Sequence, residues 1–182
     1  TSKSNEVLSA SNDDVLEASS DCFYWVENNV WFEDLREAMN EIAGSDSKIG
    51  TILVKAGTYN ELDRTTVGDI YIHFESAATI TIKPENPGDT VIFDGSVPKD
   101  NYLFWLDHKD LKVTFNNITF KKGHATSSGG AIEVAHGQVT LNNCTLTENE
   151  ALDYGGAVSV ADAGTFIANN CRFINKWAED DG

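Results

Sequence analysis

Positive charge is scarce in this chain. Its 182 residues carry 13 Lys and Arg against 29 Asp and Glu, a formal net charge of −16. A nucleic-acid partner needs a basic face to neutralise phosphates, so this balance excludes that class. It also disfavours adhesion to anionic lipid, and self-repulsion favours solubility. Cysteine is sparse: Cys22, Cys144 and Cys171, with no CxxC pair. Neither a zinc ribbon nor a thioredoxin-type motif is written, and an odd count rules out a fully paired disulfide framework within one chain. No apolar run approaches the length of about 18 residues that spans a bilayer, so no direct membrane insertion is expected from this segment. No basic stretch followed by an apolar one opens the chain, so no signal peptide is visible, and a mature secreted protein would look the same.

At 41% hydrophobic the chain can build a core, and its length fits one domain. Residues 1–25 are rich in Ser, Asn, Asp and Glu and are expected to form a flexible acidic leader. Residues 26–182 are expected to be the folded domain. From Trp31, the residues Phe32, Leu35, Ala38, Met39 and Ile42 recur at helical spacing with Glu33, Asp34, Arg36, Glu37 and Glu41 between them. The spacing predicts one amphipathic helix over residues 31–43, with Gly44 as its stop. After Gly50 the helical period does not return. Short β-branched and aromatic runs replace it: Thr51 to Val54, Ile70 to Phe74, Thr79 to Ile82, Thr90 to Phe93, Leu103 to Leu106 and Leu111 to Phe115.

An internal repeat decides the fold class. Gly129-Gly130-Ala131-Ile132-Glu133-Val134 returns as Gly155-Gly156-Ala157-Val158-Ser159-Val160, 26 residues later. Asn142-Asn143-Cys144-Thr145-Leu146 returns as Asn169-Asn170-Cys171-Arg172-Phe173, 27 residues later, so one residue is inserted near Asp162. An earlier copy is Asn116-Asn117-Ile118-Thr119-Phe120. Each unit carries three short strand segments divided by Gly pairs and Asn pairs. Alternation sends Ile132, Val134, Val139, Leu141, Cys144 and Leu146 inward in one unit. Val158, Val160, Phe166, Ala168, Cys171 and Phe173 follow in the next. A unit this small cannot bury its apolar face alone, but stacked units can. The expected fold is therefore all-β: a right-handed, single-stranded parallel β-helix with coils over about 51–182 and the amphipathic helix capping one end. A β-sandwich also uses many short strands, but does not predict a period of 26 with matching corners. Gly182 falls where another Gly pair would begin, so the chain is expected to stop mid-repeat, leaving an open coil able to pack end to end.

These repeats resemble those of adhesin-like cell-surface proteins of methanogenic archaea. They are also similar to the repeats of chlamydial polymorphic outer-membrane proteins. The segment Thr51-Ile-Leu-Val-Lys-Ala-Gly57-Thr58-Tyr59, followed by Val91-Ile-Phe-Asp94-Gly95, resembles the start of the archaeal β-helix. The resemblance covers roughly residues 30 to 182. It implies an extracellular, cell-surface location and non-catalytic attachment to other cells or glycans through an extended face. Two other readings stay open: a carbohydrate-active β-helix enzyme, and a passive structural stalk.

Few residues carry chemistry on this reading. No catalytic residue and no cofactor is expected. Asp153 and Asp180 fall in register, either as ligands to a shared divalent cation or as solvated turn acids. Cys144 and Cys171 occupy equivalent inward positions, where buried thiols suit the geometry better than a disulfide. Asn117-Ile-Thr119 and Asn143-Cys-Thr145 match a glycosylation sequon, but ladders of Asn at the bends explain them without sugar. His73, His108, His124 and His136 show no ligand spacing. Glu133 stacks on Ser159 and so meets no carboxylate in the following unit. Among the aromatics, Trp177 is the best candidate for an exposed binding contact, whereas Trp31 and Trp105 are expected in capping and core packing.

Overall fold

A computed structural model describes residues 21–60, 72–96 and 102–179. Phe23–Trp25 (β1) and Val30–Phe32 (β2) form an antiparallel hairpin, and β1 also pairs antiparallel with Ile49–Val54 (β3). The helix Leu35–Gly44 (α1) lies between β2 and β3. The remaining strands are Gly57–Tyr59 (β4), Ile72–Phe74 (β5), Ala78–Pro84 (β6), Val91–Asp94 (β7), Phe104–Asn116 (β8), Ile118–Lys121 (β9) and His124–Ala125 (β10). They continue with Ile132–Asn142 (β11), Thr145–Thr147 (β12), Glu150–Ala151 (β13), Val158–Asn169 (β14), Arg172–Ile174 (β15) and Trp177–Ala178 (β16). All strand pairs among β3 to β16 of the described residues are parallel. The chain is a parallel β-helix.

The coils stack into an eight-stranded sheet ordered β14-β11-β8-β6-β3-β1-β2, with β5 also on β8, a five-stranded sheet ordered β15-β12-β9-β7-β4, and a three-stranded one ordered β10-β13-β16. Equivalent residues lie over one another as the repeat requires. Ile132 pairs with Val158, Val139 with Phe166, and Asn142 with both Asn116 and Asn169. The register shifts once after Val134, opposite the inserted residue near Asp162, and then resumes at His136 and Ala163.

Two boundaries differ from expectation at the N-terminal end. Residues 23–25 are a strand and not leader, because Phe23 and Trp25 are buried against the first coil. The helix begins at Leu35, not residue 31. Asp34 is its N-cap, its side chain accepting the Glu37 N–H at 2.6 Å, and β2 takes residues 30–32 instead. Gly44 is the last helical residue, and Ser45 caps the end. Leu35, Ala38, Met39 and Ile42 point from the helix into the core, closing the end of the coil stack. Residues 1–20 lie outside the described residues, as do Ile70 and Tyr71 of an expected strand.

The long strands are the other difference. Leu103 to Leu106 and Leu111 to Phe115 were expected as separate strands, yet β8 runs unbroken from Phe104 to Asn116. The corner between them is a large bulge: residues 108–111 of β8 stand opposite Gly137 alone on β11, at φ 87°, before pairing resumes at Lys112 and Gln138. In the preceding coil the same corner is open, and β5 and β6 pair separately with the two halves of β8.

True bends follow the long strands. Asn117, Asn143 and Asn170 occupy the left-handed region at φ 55°, 54° and 53°. Beside them runs a side-chain ladder: Asn142 Nδ2 donates to Asn116 Oδ1 at 2.8 Å, and Asn169 Nδ2 donates to Asn142 Oδ1 at 2.8 Å. Asn170 Nδ2 donates to Asn143 Oδ1 at 2.7 Å, so both sequon asparagines sit at structural bends. The second bend repeats the left-handed position at Lys122, Glu148 and Asn175. Between the bends, buried Asn149 accepts the Gly123 N–H at 2.8 Å and donates to the Phe120 carbonyl at 3.1 Å. It satisfies backbone groups that face the interior.

The expected inward set of the Ile132 coil is wholly buried: Ile132, Val134, Val139, Leu141, Cys144 and Leu146 expose 1% or less. Upstream, Phe93, Phe104, Phe115 and Phe120 pack edge to face or tilted at 5.0–5.9 Å between ring centres. In the last described coil, Val160 and Phe173 are 47% and 37% exposed, because no further described coil covers them. Ala131 and Ala157 are buried at the Gly-pair corner.

That corner generates a stability prediction. Gly129 needs a left-handed φ of 73°, and a Cβ on Gly130 would meet the carbonyl oxygens of Gly156 and Glu150. Gly130→Ala should therefore cost at least about 1–3 kcal/mol, because backbone of the neighbouring coil must move. A lower urea midpoint at unchanged m-value checks it. A second prediction concerns Cys144, whose thiol burial pushes up to about 11 from the ordinary 9.0. At pH 8 only about one thiol in a thousand is then ionised, so iodoacetamide should leave Cys144 unmodified until the protein unfolds. Because the folded value is the higher one, the thiol's contribution to stability is present below pH 9 and declines as pH rises toward 11.

Candidate functional site

The residues with the densest chemistry lie on the outer face of the first half of the long strands. Alternation sends Phe104 and Leu106 inward, so Trp105 and Asp107 face out. Parallel register then builds two columns. His73 pairs with Trp105, and Trp105 with Glu133. One step along, Glu75 follows β5 beside Asp107, and Asp107 pairs with His136.

Side-chain contacts tie the columns together. The His73 ring stacks on Trp105 at 4.0 Å with an interplanar angle of 9°, and Tyr102 meets Trp105 edge-on at 5.9 Å. Glu75 Oε1 lies 3.0 Å from His73 Nε2, a ring nitrogen shielded from solvent. The Trp105 Nε1 is buried without a hydrogen-bond partner. His136 Nδ1 sits 2.6 Å from Asp107 Oδ1, both side chains partly exposed. Burial, and then the charge of Asp107, raise the Glu133 carboxyl above its ordinary range. Glu133 therefore does meet a neighbouring carboxylate, in the coil before it and not the coil after it. Trp105 is half-buried on this outer face instead of in the core.

Ligand atoms of His73, Glu75 and Asp107 all lie within 4.8 Å of one another. Among the described residues this is the one such convergence of three or more His, Cys, Asp or Glu. Asp153 is exposed and takes no part in it, and Asp180 lies outside the described residues. The histidine spacings hid this cluster. Trp105 follows its partner His73 by 32 residues and not 26, because longer connections separate the early coils. A ruler set by the Gly and Asn pairs does not reach them.

Trp177 is elsewhere, on β16, and is 52% exposed. With Val160, Phe166, Phe173 and Lys176 it lines an open groove of about 490 Å³ on the uncovered side of the last described coil. Trp31 packs at the other end, its ring 4.8 Å from that of Tyr24 and 4.3 Å below the Lys55 ammonium. Cys144 and Cys171 are stacked thiols, not a disulfide. Their neighbours Thr145 and Arg172 pair in register. Among the described residues no helix is long and apolar enough to cross a membrane.

No family model, no curated protein and no solved structure matches this chain.

The raised Glu133 carboxyl carries a pH prediction. Its folded value is the higher one, so its contribution to stability is present below 4.5 and is lost as pH rises through the folded value. At pH 7, above the ordinary value of 4.5, the raised carboxyl therefore opposes folding. Glu133→Gln should raise the melting temperature at pH 7, by a stability gain under about 1 kcal/mol because solvent screens the site. The gain should vanish near pH 4. Equal gains at both pH values would show that charge is not the cause.

Proposed function

We propose that this chain is an adhesin-like, non-catalytic surface protein that attaches to other cells or glycans through the outer face of its β-helix. The observation that carries this reading is the rigid aromatic and carboxylate surface at Trp105. Its indole is fixed flat by the His73 ring on one side and edged by Tyr102 on another. Glu133 and Asp107 stand next to it. A sugar ring presents an apolar face to an aromatic plate and hydroxyl donors to carboxylates, so this surface matches both needs. Rigid placement lowers the ordering cost of binding, because the strands already hold the side chains in register. The acidic charge of −16 favours neutral glycans over anionic ones. The resemblance of the repeats to those of archaeal surface adhesins supports an extracellular setting.

A panel of neutral and acidic glycans, scored for both retention and cleavage, tests the proposal. We expect retention of neutral polymers without shortening, and a loss of retention of about tenfold or more in Trp105→Ala. Turnover of any polymer would make the chain a carbohydrate-active enzyme. Retention of no glycan and no cell type would make it a stalk.

A further inference from the structure

We propose that His73, Glu75 and Asp107 bind a first-row divalent transition-metal ion, with His136 as the positioning residue that holds Asp107. The three ligand atoms already converge within 4.8 Å of one another. Metal bonds of about 2.0–2.2 Å to nitrogen and carboxylate oxygen would draw them closer by roughly 1 Å. Glu75 can supply much of that movement, since its side chain is 62% exposed. His73 and Asp107 lie on adjacent coils, where the ladder fixes their spacing.

The setting of the His73 ring nitrogen supports the same reading. His73 Nε2 is shielded from solvent with Glu75 Oε1 3.0 Å away, and stacking on Trp105 holds the ring's plane. An imidazole nitrogen and a carboxylate oxygen held this close are adjacent donors for one cation. His136 Nδ1, 2.6 Å from Asp107 Oδ1, supplies the outer contact that orients a ligating carboxylate. One imidazole with two carboxylates suits Zn²⁺, Mn²⁺ or Fe²⁺ better than Ca²⁺, which takes six to eight oxygens. Three protein ligands leave positions open to water on the solvent side. This site stands independently of the adhesive reading, since a metal could bind whether or not any glycan does.

Calorimetric titration of the chelator-stripped full chain with Zn²⁺ tests the site. We expect saturable binding of a single ion that excess Mg²⁺ does not displace. His73→Ala and Asp107→Asn should each abolish it, and His136→Ala should weaken it by about 10- to 100-fold. Glu75→Gln changes an exposed side chain, so it should lose the ion while its metal-free melting curve stays that of the parent. Co²⁺ supplies a second readout, with visible bands of a nitrogen and oxygen site and no thiolate charge-transfer band. Zn²⁺ affinity unchanged in His73→Ala or Glu75→Gln would overturn the proposal. A thiolate band would place the ion on cysteine and overturn it equally.

Discussion

Every other feature of this protein depends on the main-chain ladder between one coil and the next. Parallel strands can hydrogen-bond only when equivalent residues lie side by side, and the coils obey this from Ile49 to Ala178. Register then acts on side chains. An inward residue in one coil demands an inward residue above it, which is why Ile80, Val113, Val139 and Phe166 form one continuous column. It acts on corners too. Gly130 has carbonyl oxygens of Gly156 and Glu150 where a side chain would go, and Gly156 has the same relation to Trp177. A substitution that moved one corner would move the next, so the corners are set by neighbours as much as by local conformation.

A stack of coils has two ends, and exposed ladder edges are a hazard. At the first end the solution is antiparallel. β1 turns against β3, β2 turns against β1, and α1 closes the interior with Leu35, Met39 and Ile42. The direction of pairing changes at that edge, so the parallel series cannot extend past it. At the last described coil no comparable cover exists among the described residues. Val160, Phe173 and Trp177 present the cross-section of the apolar interior itself.

How far the amino-acid sequence predicted this depended on distance along the chain. The Gly and Asn pairs recur at 26 and 27 residues, so the coil period, the Ile132 core set and the Asn bends were legible. The helix was legible through its apolar spacing, but its start was not, because Asp34 reads as first-turn acid until its side chain is seen to cap Glu37. β1 was hidden because three residues in an acidic stretch show no period of their own. The long strands looked like pairs of short ones, because a bulge of residues 108–111 interrupts alternation within one strand. The site was hidden for a related reason. His73 and Glu75 belong to a coil outside the regular repeat, so only the paired strands show that they neighbour Asp107.

That placement has a physical logic. Within the regular coils, columns are built of like residues: Asn on Asn, Thr on Thr, apolar on apolar. Such columns are good for stacking and poor for chemistry, since chemistry needs unlike groups in contact. Unlike groups meet where the repeat is irregular, and here that is the first half of β8. There the coil before it is divided into β5 and β6, and the coil after it carries the bulge following Val134. The bulge brings His136 opposite Asp107, where an unshifted register would have offered Ala135. The backbone irregularity that disturbs the ladder at this corner is thus the cause of the imidazole–carboxylate contact, and the outer surface gains its diversity where the inner repeat is weakest.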